Sequence, residues 1–306
     1  MSNITAGLVP VLVLILIGYG LKRFGFLADE AWAGMEKLTY FVLFPALLIR
    51  SLANQHLPGT PWPSMLLVVT LTLLTAAAVL ILWYRIFSSV SGPTFTSIFQ
   101  GGVRFNTYIA LAIALSFFGA EGLTLAAIAA GFMIILINLL CISVIGIWGT
   151  NPSKGGMAFS RNVIGNPLII SCAVGWVLSQ SGIGLPGITD SILEIVGRAA
   201  LPFGLLAVGA ALKPEAIRGH LKPIAISSLV QFGLKPVMAV ILISITGLSG
   251  IAAGVLVIVF MTPTAASAYI LARQLGGDTD TMASIITFQT LLAFIVMPLI
   301  ALLFLA

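Results

Sequence analysis

The sequence predicts an all-α integral membrane protein with ten transmembrane helices, arranged as two inverted five-helix repeats. Hydrophobic residues make up 59% of the 306 residues and charged residues only 8%, with a mean hydropathy of +1.16, which excludes an ordinary soluble domain. Apolar stretches recur along the whole chain, each of about twenty residues and therefore able to cross a hydrocarbon core roughly 30 Å thick. Landmark residues of the first half also recur in the second half at a constant shift.

Charged residues, Pro/Gly clusters and apolar length set the boundaries of the predicted spans. Spans 1 to 10 are 5–22, 30–53, 64–87, 94–118, 122–148, 161–180, 188–211, 222–247, 251–275 and 280–305. Residues 1–10 contain no Lys or Arg, so we expect span 1 to be retained rather than cleaved as a signal peptide.

The distribution of cations predicts the orientation. With the N-terminus outside, ten of the 14 Lys and Arg residues fall at cytoplasmic ends of spans and only Arg50 falls outside. The remaining cations, Arg104, Arg198 and Lys235, lie within spans. The positive-inside rule therefore places both termini outside a cytoplasmic (inner) membrane. No dense basic stripe is present, which argues against a nucleic-acid partner.

An internal repeat appears when 157 is added to positions in the first half. This shift pairs Pro10 with Pro167, Gly18 with Gly175, Gly25 with Gly182, Pro45 with Pro202, Gly119 with Gly276 and Glu121 with Asp278. The predicted units are 1–149 and 150–306, and each holds five spans, so the second must be inserted upside down. Inverted repeats of this kind are typical of secondary transporters, in which two similar halves expose one central site alternately to each side.

The same shift aligns two polar interruptions of apolar helices. Arg104-Phe105-Asn106-Thr107-Tyr108 in span 4 falls on Met261-Thr262-Pro263-Thr264-Ala265 in span 9. Proline removes an amide donor, and Asn and Thr side chains compete for backbone groups, so both segments are expected to unwind. We expect spans 4 and 9 to be broken and to cross at the midplane, with half-helix N-termini directed at a site for a carboxylate; ordinary kinks are the alternative.

Other intramembrane polar residues allow more than one role. A cation at a helix centre costs about 2.5–3.5 kcal/mol on insertion scales. Arg104 is expected either to bind a substrate carboxylate or to satisfy groups of the broken helix, and Lys235 either to neutralise loose carbonyls or to hold a charge in the path. Asn138 in span 5 offers the substrate a donor or makes an interhelical bond, while Glu194 and Arg198 are expected to pair.

The polar residues of spans 8 and 10 argue against dedicated cation coupling. They offer oxygens but no carboxylate: Ser227, Ser228, Gln231, Thr287, Gln289 and Thr290. Because no acid lies mid-span near the interruptions, we predict neither a metal site nor a cofactor. The chain also lacks HExxH and GxSxG motifs and a partnered nucleophile, which disfavours an intramembrane enzyme.

The two interruptions, together with Gly276-Gly277-Asp278, resemble the auxin efflux carrier family of the bile acid/auxin/arsenite transporter superfamily. This family includes bacterial malonate-type carriers and plant PIN-type auxin exporters, and the likeness covers essentially the whole chain. It implies ten helices with unwound, crossing helices 4 and 9 beside the substrate. Plant members read Asn-Pro-Asn-Thr-Tyr at the first interruption, whereas this chain has Arg104 and Phe105 before Asn106, and the added cation favours a small, more acidic anion.

The predicted function is therefore secondary transport of small organic anions, either malonate-like carboxylates or auxin-like weak acids. The expected substrate-binding residues are Arg104, Asn106, Thr107, Tyr108, Asn138, Thr262, Pro263, Thr264 and Ser267. Helices 1, 2, 6 and 7 are the expected scaffold, and helices 3–5 and 8–10 the expected transport bundle. An anion-conducting channel and a sodium-coupled symporter remain alternatives. The lipid bilayer is the expected environment, and homodimers among relatives leave a homodimer open.

Overall fold

A computed structural model describes residues 2–54, 60–150, 165–217 and 219–304. Over these ranges the chain is helical and contains no β-strand. The helices are α1 Ser2–Arg23, α2 Asp29–Leu38, α3 Phe44–Ala53, α4 Trp62–Phe87, α5 Gly92–Val103, α6 Thr107–Trp148, α7 Pro167–Gln180, α8 Thr189–Arg198, α9 Ala200–Ala210, α10 Leu221–Leu229, α11 Lys235–Thr246, α12 Gly250–Met261, α13 Ser267–Leu275 and α14 Thr279–Phe304.

Several of these helical segments are long and apolar enough to cross a membrane. Six candidate spans occur among the described residues: Asp29–Ala53, Trp62–Phe87, Gly92–Trp148, Thr189–Ala210, Leu221–Thr246 and Thr279–Leu303. The chain is thus an all-α protein with the features of a multi-pass membrane protein. The count of ten helices and the opposite orientation of two repeats stay predictions. The start of predicted span 6, at 161–164, lies outside the described residues.

Three of the prolines within spans, Pro45, Pro202 and Pro236, follow irregular turns of helix. A π-helical turn, Thr39–Leu43, ends two residues before Pro45, and another, Val230–Leu234, ends two residues before Pro236. The short gap between α8 and α9 likewise precedes Pro202. A proline ring clashes with the carbonyl of the preceding turn, and a wider turn moves that carbonyl away. These three prolines therefore account for the irregular turns that precede them.

Two of the glycine pairs found by the 157-residue shift share a positive φ. Gly25 and Gly182 have φ values of 66° and 70°, and Gly119 and Gly276 have values of 62° and 85°. Residues with a Cβ rarely adopt a positive φ. The ψ angles of Gly119 and Gly276 differ, at −151° and 36°, so only φ recurs in that pair. Within the 42-residue α6, Gly119 is non-helical and separates the part predicted as span 4 from the part predicted as span 5. A positive φ at matched positions is compatible with a structural repeat.

Helix packing divides the described helices into two sets. In one set α1 packs along α9, and α3 packs along α7 and α8. In the other set α5 packs against α10 and α14, α4 against α11, and α6 against α12. The long α6 also contacts α1, α3 and α7 and so joins the two sets.

The contact between α1 and α9 depends on two glycines. A Cβ on Gly18 would lie 2.1 Å from the carbonyl oxygen of Leu206, and one on Gly209 would lie 1.9 Å from that of Ile15. Both distances are far below van der Waals contact, and the obstacle is backbone. The two helices can therefore approach this closely only without side chains at these positions.

Gly18→Ala is expected to lower the thermal unfolding midpoint of the purified protein, because the methyl group forces α1 away from α9. Overpacking of this kind costs about 1–3 kcal/mol. Gly20→Ala is the matched control on the same helix, since a Cβ there would meet nothing within 4 Å. Equal midpoints for the two variants in a detergent thermal melt would contradict the close contact.

Candidate functional site

The first predicted interruption is a short extended segment between α5 and α6. Arg104 has φ −70° and ψ 163°, and Asn106 has φ −94° and ψ 103°. Helix resumes at Thr107, so the break is shorter than the predicted 104–108, and Thr107 and Tyr108 are helical. Asn106 ends the break by accepting a hydrogen bond from the Ile109 amide at its Oδ1, 3.2 Å away. This is an N-cap, which satisfies an amide that the new helix leaves free.

The second interruption separates α12 from α13. Thr262 is extended, with φ −77° and ψ 150°, and its hydroxyl donates to the Val259 carbonyl at 2.9 Å. Pro263 follows and has no amide hydrogen, so the helical ladder cannot continue through it. Helix resumes at Ser267. Both predicted helix breaks are therefore present.

The two breaks lie side by side and are joined by Gln289 of α14. Gln289 is 0% exposed; its Nε2 donates to the Gly101 carbonyl at 3.0 Å and its Oε1 accepts from the Thr264 amide at 3.0 Å. The Thr264 hydroxyl also donates to the Gln100 carbonyl at 3.4 Å. One amide side chain thus satisfies backbone groups of both broken helices, which would otherwise be buried without partners.

Lys235, at the start of α11, also binds the first break. Its Nζ donates to the carbonyls of Val103 and Arg104 at 3.2 and 3.1 Å and to Oε1 of Gln231 at 2.7 Å. Gln231 in turn donates through Nε2 to the Thr262 carbonyl in the second break. Of the two roles considered for Lys235, neutralising loose carbonyls is the one that these contacts display.

Arg104 lies where the breaks meet α6. Its Nη2 donates to Asn138 Oδ1 at 2.9 Å and its Nη1 to Ser267 Oγ at 3.4 Å. Its Nε is buried without a partner, and Arg104 takes part in no salt bridge within the described ranges. The structure thus brings together three of the expected site residues, Arg104, Asn138 and Ser267. The Nε–H of the buried Arg104 guanidinium remains as a hydrogen-bond donor without a partner among the described residues.

Tyr108 and Thr107 make different contacts. The Tyr108 ring stacks on Phe44 of α3, with centroids 4.5 Å apart, and packs against Gly204 of α9. The Thr107 side chain makes no hydrogen bond with any part of the chain that the structure describes. The structure therefore does not join these two side chains to the Arg104 cluster, and their role in binding stays a prediction.

Gln100 of α5 is a buried polar residue that sequence reasoning missed. It is 0% exposed, and neither Nε2 nor Oε1 of its side chain has a hydrogen-bond partner among the described residues. The available signal was an amide in an apolar helix, one turn before the break. Gln231 and Gln289, which sequence reasoning named among the polar residues that offer oxygens without a carboxylate, hydrogen-bond to the backbone of the breaks.

Ion pairs link α3 to α8, away from the breaks. Arg50 contacts Asp190 at 2.9 Å and Glu194 at 3.0 Å, and Glu194 also pairs with Arg198, which confirms the predicted Glu194–Arg198 pair. Arg198, which the sequence places within span 7, is the last residue of α8, and its side chain is 76% exposed rather than buried like Arg104 and Lys235.

Asp278 holds together the starts of α5 and α14. Its carboxylate accepts hydrogen bonds from the Thr281 amide and hydroxyl at 3.0 and 2.6 Å and from the Thr94 hydroxyl at 2.9 Å. Burial alone would raise the pKa of Asp278, but these hydrogen bonds, first from Thr281 and then from Thr94, together with the charge of His220, lower it below its usual value. The folded protein thus favours the ionised carboxylate.

Asp278→Asn is expected to destabilise the protein in a pH-dependent way. Because the folded pKa lies below the unfolded value of about 3.9, the ionised group stabilises the fold above that pH, and this contribution is lost as pH falls through the folded pKa. The wild-type midpoint should exceed the variant midpoint above about pH 5, and the difference should shrink as the pH falls further below about 3.9. A constant difference across that range, measured by thermal melts in detergent, would contradict this role.

Comparisons with known proteins agree with the membrane features. Residues 156–301 match a family model described as "Membrane transport protein". The chain is 25% identical over 301 residues to an uncharacterized transporter of Methanothermobacter thermautotrophicus, covering 96% of each protein. It is 23% identical over 299 residues to an uncharacterized transporter of Methanocaldococcus jannaschii, covering 94% of this chain and 95% of that protein. These similarities support a membrane transporter and the resemblance to auxin efflux carrier-type proteins; the malonate-type subgroup stays a prediction.

Proposed function

We propose that this chain is a secondary transporter that moves small organic anions, malonate-like carboxylates or auxin-like weak acids, across the cytoplasmic membrane by alternating access. The similarity to transporters supports the general class. The observation that carries the choice of substrate is the position of Arg104, a buried cation with an unpartnered Nε at the junction of two helix breaks.

The charges around the breaks favour an anion. Arg104 is 9% exposed and Lys235 is 0% exposed, and neither forms a salt bridge with a described acid. Helices α6 and α13 also begin at the breaks, so their N-terminal partial positive charges lie there. A carboxylate entering this region would lower the electrostatic cost of the buried cations.

The arrangement of helices supports alternating access. Both broken helices belong to the packed set that contains α4, α5, α10, α11 and α14, which corresponds to the proposed transport bundle. The other set, α1 to α3 with α7 to α9, corresponds to the proposed scaffold. Tyr108, two residues after Asn106, stacks on Phe44 of the scaffold, so the first break lies next to a contact between the bundle and the scaffold.

Uptake by purified protein in liposomes tests the proposal. Radiolabelled malonate uptake should saturate with concentration and should be accelerated by unlabelled malonate inside the vesicles, as a carrier requires. Flux that rises without saturation would indicate a pore, and absence of flux for mono- and dicarboxylates would reject the function. A thermal-shift screen with the same acids selects the substrate beforehand, because a ligand that binds the folded state raises its stability.

A further inference from the structure

We infer that the ammonium group of Lys235 is a tethered cation that occupies an oxygen cage between the two helix breaks, so that transport requires no free sodium ion there. The inference rests on the proposed transport function and adds to it a mode of charge compensation. It concerns whether transport is coupled to sodium, and this question is independent of which anion is the substrate.

The cage has as many acceptors as the ammonium has hydrogens. Lys235 is 0% exposed, and its Nζ contacts the carbonyl oxygens of Val103 and Arg104 and the Oε1 of Gln231, at 2.7 to 3.2 Å. An ammonium group has three donors and no acceptor, so each hydrogen has one oxygen. The geometry therefore suits the charged form of the side chain.

Two of the three oxygens of the cage come from the C-terminal end of a broken helix, and the third is the side-chain Oε1 of Gln231. Val103 is the last residue of α5 and Arg104 is its C-cap, where carbonyls lack helical partners and carry partial negative charge. Gln231 relays the contact to the Thr262 carbonyl, the C-cap of α12. The ammonium group thus offsets the partial negative charge at the C-terminal end of α5 by direct contact. It is linked to the C-terminal end of α12 through the side-chain amide of Gln231.

Such oxygens are also ligands for coupling ions. In secondary transporters, unwound backbone carbonyls and the C-terminal ends of half-helices coordinate Na⁺. Here no carboxylate of a described residue pairs with Lys235. A second, mobile cation at these three oxygens would meet the ammonium charge at contact distance. The lysine therefore takes the place that a sodium ion would need.

The wild-type protein provides the first test. Malonate uptake into proteoliposomes should be the same in sodium chloride and in choline chloride. A sodium requirement in a protein that does transport malonate would overturn the inference while leaving the proposed function standing. Absence of any anion uptake would instead reject the proposed function.

Lys235→Ala provides the second test, because it removes the ammonium and leaves the oxygens. Uptake in choline chloride should fall about tenfold or more, since removing one partner of a buried charged contact is strongly unfavourable. Ammonium chloride or sodium chloride should raise the thermal midpoint of this variant, and should not raise the wild-type midpoint. Choline is too large to enter the space that the side chain vacates.

Two further variants keep the result interpretable. Lys235→Met is nearly isosteric but neutral, so it should lose uptake and should gain nothing from ammonium because the methionine fills the cage. Lys222→Ala, an exposed lysine one helix earlier, should behave as wild type. Full uptake by Lys235→Met, or equal salt responses of the Ala, Met and wild-type proteins, would show that the charge at this position has no such role.

Discussion

Arg104→Gln is expected to weaken binding of dianions such as malonate by roughly 10- to 100-fold, because a hydrogen bond to a charged group contributes about 1.5–3 kcal/mol. Binding of monoanions should weaken less, because the partial positive charges of the helix N-termini at the breaks also stabilise their single negative charge. Glutamine can still donate one hydrogen bond, so Asn138 or Ser267 keeps a partner in the absence of substrate. Ligand-dependent thermal shifts with matched mono- and dicarboxylates measure the difference.

Two comparisons separate a binding role of Arg104 from a structural one. Arg104→Lys retains the charge but loses the planar fork, so it should recover part of the dianion preference. Without ligand, Arg104→Gln should have an unfolding midpoint close to that of wild type. Lys235→Met should have a clearly lower midpoint, because it removes the hydrogen-bond donor to the Val103 and Arg104 carbonyls. Equal affinity losses for mono- and dianions would indicate that Arg104 only holds the breaks together.

Asn106→Ala is expected to abolish transport. The Oδ1 of Asn106 caps α6, whereas its Nδ2 makes no hydrogen bond with the rest of the described chain and is free to donate to a carboxylate. Alanine removes both functions, and the lost cap alone costs about 1 kcal/mol, so a modest fall in the unfolding midpoint should accompany the loss of uptake.

Matched variants distinguish the cap from the donor. Asn106→Ser retains a capping oxygen and loses the amide, so it should be nearly as stable as wild type and still transport poorly. Asn166→Ala removes a comparable N-cap, at the start of α7, where Asn166 Oδ1 accepts from the Leu168 amide at 2.9 Å. That variant should lose similar stability but keep uptake. Unimpaired uptake by Asn106→Ser would mean that the substrate binds elsewhere.

The positions of the helix breaks could be predicted because their causes are local. Pro263 cannot donate an amide hydrogen, and Asn106 offers the backbone a cap in place of a helical turn, whatever surrounds them. The length of the first break was less predictable. Thr107 and Tyr108 are helical because the Asn106 cap lets a new helix start directly after it.

The partners of the cations could not be read from spacing. Lys235 and the Val103 carbonyl are 132 residues apart, and Arg104 and Ser267 are 163 apart. The local sequences do not predict these hydrogen bonds. Hydrogen-bonding residues are common, and which of them come within contact distance depends on how whole helices pack. For the same reason sequence reasoning did not single out Gln100 and could not tell that the Arg198 side chain is exposed.

By itself, the sequence determined that this chain is built of apolar helices with two polar interruptions, since burial in lipid and loss of an amide donor are properties of short segments. Only the tertiary structure decided which groups hydrogen-bond to the interrupted backbones. These are Gln289 of the last helix, Gln231 of the π-helical turn before α11, and Lys235 at the start of α11. Broken backbone must find partners wherever it is buried, and those partners come from distant segments that packing alone brings within reach.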